Sequence, residues 1–180
     1  MIKKWETISQ SKIEKFKIFD AVWYKRQHPE IKKESDFIVL LSNPWVNIIP
    51  LTTEGNIILI EQYRHGIDNL TIEIPGGLVE NNEDTRLAAE RECIEETGYI
   101  GEGEAVLIGE NHPNPAFLNN ICYHYLWKNC KKQKEQNLDI HEDIRVFELP
   151  IDKIKTMIFN KQITHSLVLD AFLFYYIKNI

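Results

Sequence analysis

The sequence predicts an α/β fold in which helices cover a mixed β-sheet. Three observations support this class. Many short apolar runs read as strands, a single polar helix interrupts them, and two helical patterns close the chain. Because strands and helices do not alternate regularly, repeated βαβ units are disfavoured. The 180 residues suffice for one ordinary domain with a small appendage.

The elements follow in a clear order. Residues 17–26 and 35–43 read as strands, and residues 46–64 read as a hairpin that turns at Gly55. Residues 70–77 form a short strand that ends in Pro75-Gly76-Gly77. Residues 84–97 form a helix, for which Gly98 is a left-handed C-cap. Further strands cover residues 104–110, 121–130 and 143–150, and helices cover residues 151–160 and 165–179.

The N-terminal part of the chain reads differently from the rest. Residues 1–44 contain β-like sequence rich in aromatic side chains, which predicts a small N-terminal β-arm. Residues 45–180 form the main domain, with a boundary near Asn43-Pro44.

Composition and the lack of certain segments indicate which partners and which location to expect. The net charge of −6 argues against a broad nucleic-acid interface, which requires a basic surface. Three irregularly spaced cysteines indicate neither a disulfide framework nor a zinc site. No apolar run approaches the roughly 18 residues of a membrane span, and the N-terminus lacks the apolar segment of a secretory signal. We therefore expect a cytoplasmic protein that binds neither nucleic acid nor membrane.

The segment from Gly76 to Tyr99 concentrates seven acidic residues against two arginines. At about 100° per residue, Glu92, Glu95 and Glu96 share one arc of the predicted helix. Leu87 and Ile94 lie near the opposite side, which we expect to dock on the sheet. Crowded like charges destabilise a helix unless a cation neutralises them, and oxygen ligands suit Mg²⁺ or Mn²⁺. The alternative from the helix alone is a solvated acidic face.

The same segment resembles the Nudix box, whose pattern is G-x5-E-x7-R-E-U-x-E-E-x-G-U, where U is a bulky apolar residue. The matching charged and glycine positions are Gly77, Glu83, Arg91, Glu92, Glu95, Glu96 and Gly98. Cys93 and Tyr99 at the U positions are departures that concern packing. The resemblance implies a Nudix-type α/β/α sandwich that hydrolyses nucleoside diphosphates linked to another moiety.

The resemblance also implies roles for the box residues. Glu92 and Glu96 would be the principal ligands of Mg²⁺, with Mn²⁺ as the alternative, and Glu95 and the Gly76 carbonyl would join them. Arg91 would orient these carboxylates.

The resemblance also implies that Glu83 is one of the catalytic residues, and that it would hold Arg91 or the loop before the helix. Glu95 counts both as a metal ligand and as a candidate general base.

Features outside the box resemble the ADP-ribose and nucleoside-diphosphate-sugar pyrophosphatase branch. "IEQYR" and "EIPGG" match its E-x-x-R and E-L/I-P-A/G-G stretches. This implies substrate contacts from Arg64, which would face a phosphate, and from Glu73. "HEDIRVFEL" resembles the stretch that carries a further essential acid, here assigned to Glu142, with Asp143 as the alternative.

One loop departs from that branch. Where its members show an acid after S-P-G, this chain has Asn119 and Asn120, whose amides could contact a sugar or base without adding charge. The expected substrate is ADP-ribose or a nucleoside-diphosphate hexose, split into a nucleoside monophosphate and a sugar phosphate. The alternatives are hydrolysis of another nucleotide, such as a dinucleotide, and a non-catalytic nucleotide-sugar sensor. The resemblance further implies a homodimer formed through the N-terminal arm.

Overall fold

The computed structural model describes residues 1–178, so the predicted helix end at Asn179 lies outside the described part. The chain forms two compact units. The first unit contains residues 1–43 together with residues 112–121, and the second contains the rest of the described chain. The loop 112–121, which the sequence interpretation assigned to the main domain, thus groups with the N-terminal residues. The assignment of residues 1–44 as a dimer-forming arm stays a prediction.

The first unit is built on a four-stranded antiparallel sheet. Its strands are β1 (Glu6–Gln10), β2 (Glu14–Lys15), β3 (Asp20–Gln27) and β4 (Glu34–Leu41). Strand β3 pairs with the other three. Trp23 on β3 stands directly opposite Ile38 on β4, and both side chains are exposed. Two adjacent apolar side chains on a sheet therefore face outward in this chain.

The second unit contains an eight-stranded sheet with the main order β10-β11-β5-β6-β12. Its strands are β5 (Trp45–Thr52), β6 (Asn56–Arg64), β7 (Asn69–Glu73), β8 (Gly76–Leu78), β9 (Tyr99–Ile100), β10 (Val106–Asn111), β11 (Cys122–Lys132) and β12 (Ile144–Pro150). Strands β5 and β11 run parallel, whereas the other pairs run antiparallel, so the sheet is mixed as predicted. The hairpin turn at Gly55 is confirmed, with a φ of 79°.

Helices cover the two faces of this sheet. They are α1 (Thr85–Thr97), α2 (Ile154–Phe159), which follows a 3-10 turn at Ile151–Lys153, and α3 (Ser166–Lys178). Alternate residues of a strand point to opposite faces, so Ile49 and Leu51 join one apolar cluster and Val46 and Ile48 the other. The first cluster contains residues of α2 and α3, and the second contains residues of α1. The predicted α/β/α architecture is confirmed.

Helix α1 begins and ends where local chemistry dictates. Asp84 is the N-cap, and its carboxylate accepts hydrogen bonds from the backbone N–H groups of Arg86 and Leu87 at 3.0 and 3.2 Å. Gly98 takes the left-handed conformation and donates its N–H to the carbonyl of Ile94 at 2.8 Å. Both ends agree with the prediction.

The face of α1 that docks on the sheet differs from the prediction. Leu87 is 48% exposed, so its expected place in the docking face is wrong. The expected packing of Ile94 is confirmed, since it lies partly buried against the apolar cluster. The fully buried residues of the helix are Ala88, Ala89, Cys93, Glu96 and Thr97. Because most of these side chains are small, the helix lies close to the sheet. The carboxylate of Glu96 is therefore buried between the helix and the sheet.

Helix α3 is joined to the sheet by a chain of polar side chains. Asn111 on β10 donates its amide to Asp170 on α3, and its carbonyl oxygen accepts from Nε2 of the buried His124 on β11 at 3.2 Å. Gly109 leaves a notch beside Phe174, since a Cβ there would lie 2.4 Å from the ring. Among residues 1–178, no helix combines the length and apolar character needed to cross a membrane.

Candidate active site

The centre of the site is the contact between strand β8 and helix α1. A Cβ added to Gly77 would lie 2.3 Å from Oε1 of Glu92, and one added to Gly76 would lie 2.3 Å from the carbonyl oxygen of Val46. The N–H of Gly76 donates to Oε2 of Glu96 at 3.0 Å. The missing side chain of Gly77 thus leaves room for the carboxylate of Glu92, and that of Gly76 leaves room for the neighbouring strand β5.

Arg91 organises the acidic side chains around it. Its Nε and Nη2 donate to the two oxygens of Glu83 at 2.9 and 3.0 Å, and Nη2 also donates to the carbonyl of Leu78 at 3.1 Å. Its Nη1 donates to Glu92 and Glu95, both at 3.0 Å. A guanidinium carries five N–H groups, and five hydrogen bonds use them. Arg91 therefore holds the carboxylates in place and has no spare donor for a substrate.

Two of the carboxylates lie in an unfavourable environment for their charge. Burial raises the pKa of Glu92 to about 7, although Arg91 acts in the opposite direction and the charges of Glu95 and Glu142 add to the rise. Burial also raises the pKa of Glu96 well above its usual value, against the hydrogen bond from Gly76. By contrast, the hydrogen bonds of Arg91 lower the pKa of Glu83.

These residues fit a divalent cation by their chemistry. Glu96 is 4% exposed, and Gly76 supplies its backbone hydrogen bond. Buried carboxylates without a compensating cation are costly, and hard oxygen donors suit Mg²⁺ or Mn²⁺. Within residues 1–178 no three His, Cys, Asp or Glu side chains already converge as a metal cage. The ligand roles of Glu92, Glu95, Glu96 and the Gly76 carbonyl stay predictions.

A second cluster centres on the ion pair between Arg64 and Glu73. Nε and Nη2 of Arg64 donate to the two oxygens of Glu73 at 2.8 and 2.6 Å, and Thr71 donates to Oε1 of Glu73 at 2.5 Å. Burial would raise the pKa of Glu73, but these hydrogen bonds and the charge of Arg64 lower it. Glu73 is only 3% exposed, whereas the side chain of Arg64 is 43% exposed. Glu73 thus orients Arg64 and leaves the outer fork of its guanidinium toward solvent.

The two clusters act on each other through their charges. The hydrogen bond to Glu73 is the main cause that raises the pKa of Arg64, and the negative charges of Glu96 and Glu142 add to this rise. The positive charge of Arg64 in turn opposes, without cancelling, the rise in the pKa of Glu96. Glu142 lies in an exposed loop, where its carboxylate accepts from the backbone N–H of Asp139 at 3.1 Å. Its neighbour Asp143 is also exposed. Arg64 and Glu142 thus lie within electrostatic range of the helix carboxylates, and a shared role in one site stays a prediction.

Asn119 and Asn120 make structural contacts within the first unit. Oδ1 of Asn119 accepts from the backbone N–H of Ser42 at 3.0 Å. Nδ2 of Asn120 donates to the carbonyl of Asn43 at 3.3 Å, and its buried Oδ1 has no hydrogen-bond partner among residues 1–178. The amides thus join their loop to the end of β4, and a substrate contact stays a prediction.

Sequence reasoning missed two residues in the second unit that contribute to these contacts. Thr71 supports Glu73, but a threonine in a strand carries no motif signal. Gln136 lies in a polar stretch that carries no motif, yet its side chain donates to the backbone carbonyls of Glu96 and Ile144.

A third overlooked residue is His165, just before α3. Burial lowers its pKa, while the charge of Glu73 opposes this and that of Arg64 adds to it. Its Nδ1 is buried and finds no hydrogen-bond partner in the described part of the chain. Nothing in its sequence context distinguishes it from the other histidines.

Comparison with known proteins places this geometry in a family. The model of the NUDIX domain matches residues 42–171, which include every helix and strand that forms the site. The chain belongs to the Nudix family. The resemblance to this family and to its ADP-ribose pyrophosphatase branch is thereby confirmed. Nudix hydrolases generally use divalent metal ions.

The proteins and solved structures similar to this chain include the following three. The "Methanol dehydrogenase activator" of Bacillus methanolicus is 37% identical over 67% of the chain, which spans 65% of that protein, just under two thirds of its length. The "ADP-ribose pyrophosphatase" of Bacillus subtilis (strain 168) is 26% identical over 88% of the chain and 85% of its own length. The crystal structure of an ADP compounds hydrolase has a TM-score of 0.85 at 14% identity and covers 98% of this chain and 94% of its own. At that identity the structural match supports the fold alone.

Proposed function

We propose that this Nudix hydrolase splits the diphosphate of a nucleoside-diphosphate sugar in the presence of Mg²⁺, with ADP-ribose as the first candidate. The products are a nucleoside monophosphate and a sugar phosphate. The ADP-ribose pyrophosphatase of B. subtilis, matched along 88% of the chain, supports this substrate class. Mn²⁺ is the alternative metal.

The observation that carries the proposal is the position of Arg64. Its guanidinium is held from behind by the buried Glu73, and it lies within the field of Glu96 and Glu142. An arginine fixed in this way presents a planar fork to a phosphate beside a cluster of metal-type ligands. A diphosphate suits this arrangement, because its oxygens can bind both the guanidinium of Arg64 and a metal ion held by the carboxylates.

Glu92 and Glu96, with Glu95 and the Gly76 carbonyl, would hold the metal. When bound there, Mg²⁺ neutralises charge on the diphosphate and lowers the pKa of a bound water. Arg91 keeps Glu92 and Glu95 oriented through one hydrogen bond to each, and its other three bonds hold it on Glu83 and on the carbonyl of Leu78.

The remaining steps belong to side chains outside the helix. Arg64 binds a phosphate of the substrate through its outer fork and fixes the reacting phosphorus. Glu142 accepts the proton of the attacking water, since its loop position allows it to approach bound substrate. Glu95 is the next candidate for this proton, with Glu83 after it, although both are bound to Arg91.

We further propose that the protein is a homodimer formed through its N-terminal residues. The exposed pair of Trp23 and Ile38 supports this, because apolar side chains that adjoin on a sheet gain from burial against a partner. A small sheet of this kind cannot cover both of its own faces.

A nucleotide panel tests the substrate class. The purified chain is incubated with ADP-ribose, ADP-, UDP- and GDP-hexoses and a dinucleoside polyphosphate, with and without Mg²⁺, and the products are separated by chromatography. We expect a nucleoside monophosphate from ADP-ribose only when metal is present. Preferential cleavage of the dinucleotide would replace the proposed substrate, and no cleavage of any compound would contradict the proposal.

A second candidate function is activation of another enzyme, which the 37% identity to the methanol dehydrogenase activator favours. The two functions separate in one experiment. The rate of a methanol dehydrogenase is measured with the wild-type chain and with Glu96→Gln. Stimulation by both proteins would indicate activation by binding, and stimulation by the wild type alone would indicate that hydrolysis is required. The non-catalytic sensor finds no support in a complete set of box carboxylates.

A further inference from the structure

The side chain of Gln136 joins two elements of the site. Its Nε2 donates to the backbone carbonyl of Glu96 at 2.7 Å and to that of Ile144 at 3.1 Å. Glu96 belongs to the last turn of α1, and Ile144 is the first residue of β12. Both hydrogens of one amide group therefore bridge the helix of the carboxylates and the strand that follows the Glu142 loop.

Residues near Gln136 bind the same end of the helix. The backbone N–H of Asn137 donates to the carbonyl of Glu95 at 2.9 Å. The N–H groups of Gln133 and Lys134 donate to the carbonyl of Gly98 at 3.0 and 3.1 Å. Carbonyls at the end of a helix have no partner within it, so this segment satisfies them. The backbone on the N-terminal side of the loop is thus anchored to α1.

The loop between these anchors is short and carries Glu142. It runs from residue 137 to residue 143, and the bond from Gln136 to Ile144 closes its base. Its middle is exposed and folded on itself, since Glu142 donates its N–H to the carbonyl of Asp139 at 2.9 Å. The base of the loop is therefore fixed, whereas its tip contacts mainly itself and solvent.

We propose that Gln136 is a positioning residue for Glu142, because its amide ties both ends of this loop to the helix that carries Glu92, Glu95 and Glu96. The inference rests on the proposed role of Glu142 as proton acceptor. An amide suits the task, since it supplies two donors without charge to two carbonyl oxygens. A glutamate in its place would face both oxygens with an acceptor and would repel them.

The competing explanation is that Gln136 only caps helix α1. A cap affects the stability of the helix, and through it the carboxylates, whether or not Glu142 is present. A positioning residue for Glu142 loses its effect when Glu142 itself can no longer accept a proton. The two explanations therefore differ in a double-mutant cycle.

The experiment compares Gln136→Ala and Gln136→Glu with Gln133→Ala as the matched control. Gln133 is an exposed neighbour that bonds to the helix through its backbone. With ADP-ribose and Mg²⁺, we expect Gln136→Ala to lower kcat by about tenfold or more with KM within about threefold, because loop placement affects the chemical step. Gln136→Glu should lose at least as much, and Gln133→Ala should keep the wild-type kcat. Tm should fall by only a few degrees.

The same change is then made in the Glu142→Gln protein. We expect Gln136→Ala to slow this variant by less than about twofold. A further loss equal to that in the wild type would show that Gln136 acts through the helix and would overturn the inference. Amide hydrogen exchange supplies a readout without turnover: residues 137–143 should exchange faster in Gln136→Ala, while α1 stays protected. Unchanged exchange in this loop would also overturn it.

The outcomes separate this inference from the proposed function. If Glu142→Gln retains wild-type kcat, the proposed proton acceptor is wrong and the inference falls with it. If Glu142→Gln is slow while Gln136→Ala is normal, only the inference is overturned.

Discussion

Gly77 and Glu92 lie so close that a Cβ on the glycine would be 2.3 Å from Oε1 of the glutamate. The obstructing atoms are the end of a flexible side chain, and no backbone atom is among them. An added methyl group therefore displaces the carboxylate more readily than it disturbs the strand. We therefore infer that glycine at position 77 is needed to leave room for the carboxylate of Glu92, and that it contributes little to the stability of the fold.

We predict that Gly77→Ala lowers kcat/KM about 100-fold, the scale of a misplacement near 1 Å, with little loss of Tm. Gly66→Ala is the matched control, since a Cβ there meets nothing within 4 Å. Steady-state kinetics and thermal unfolding of both variants provide the check. A large fall in Tm with Gly77→Ala, or full activity, would contradict this account of the contact.

We predict that Glu96→Gln removes most activity while the metal-free protein keeps or gains stability. Glu96 is buried and burial raises its pKa, so the neutral amide avoids the cost of the charge. The amide is at the same time a poor ligand for a divalent cation. Tm should be measured in a chelator and again with excess Mg²⁺. An equal rise in Tm with Mg²⁺ in the variant and the wild type would count against the metal role.

The stability of the metal-free protein should depend on pH through Glu92. Its pKa of about 7 in the folded state lies above the ordinary 4.5, so the folded protein binds the proton more tightly. This contribution is complete below pH 4.5 and is lost as the pH rises through 7. Its size is at most about 3 to 4 kcal/mol, since a shift from 4.5 to about 7 corresponds to about 1.4 kcal/mol per pH unit.

The comparison with Glu92→Gln isolates that contribution. The variant should unfold like the wild type near pH 4.5 and be more stable near pH 7.5, measured by urea denaturation in a chelator. His124 affects both proteins alike: burial lowers its pKa to about 4, so both lose stability as the pH falls below 6.5. A difference between the two proteins that is independent of pH would contradict the assignment to Glu92.

We predict that Glu142→Gln lowers kcat at least about 100-fold and changes KM much less, as expected for loss of a general base. Asp143→Asn tests the neighbouring acid, and we expect it to leave kcat nearly unchanged. The reverse pattern would assign the role to Asp143. If both variants keep their rate, the proton acceptor belongs to the box itself, with Glu95 and then Glu83 to be tested next.

We predict that the protein is a dimer at micromolar concentration and that Ile38→Glu makes it monomeric. The substitution places a charge beside Trp23 on the exposed face of the β3–β4 pair. Ile31→Glu is the control, because Ile31 is 68% exposed outside the strands. Light scattering distinguishes the states, and a wild-type monomer with full activity would disprove the arm-mediated dimer.

Local signals explain why much of the fold was predictable. Asp84, Gly98 and Gly55 act within a few residues of the elements they begin, end or connect, so a sequence window contains the whole signal. The box residues were equally accessible because one helix and its preceding loop carry them. Their spacing alone places Glu92 and Glu96 side by side.

Contacts between distant segments were not predictable in the same way. Glu96 is buried because the small side chains of Ala88, Ala89 and Cys93 admit α1 close to the sheet, whereas a helical wheel favours the larger Leu87 as the docked residue. Gln136 reaches Glu96 across 40 positions of the chain. No periodicity records such a pairing, and a polar segment reads as solvated.

The polar chain from His124 through Asn111 to Asp170 has a consequence for how α3 finds its place. An apolar helix face can slide along a sheet by one turn, about 5.4 Å, and still bury similar area. Directional hydrogen bonds do not tolerate that displacement, and the ring of Phe174 fills the notch beside Gly109. These contacts select one axial register of α3 among several of comparable hydrophobic energy. The polar groups therefore fix the position of this helix along the sheet, whereas its apolar side chains supply the burial.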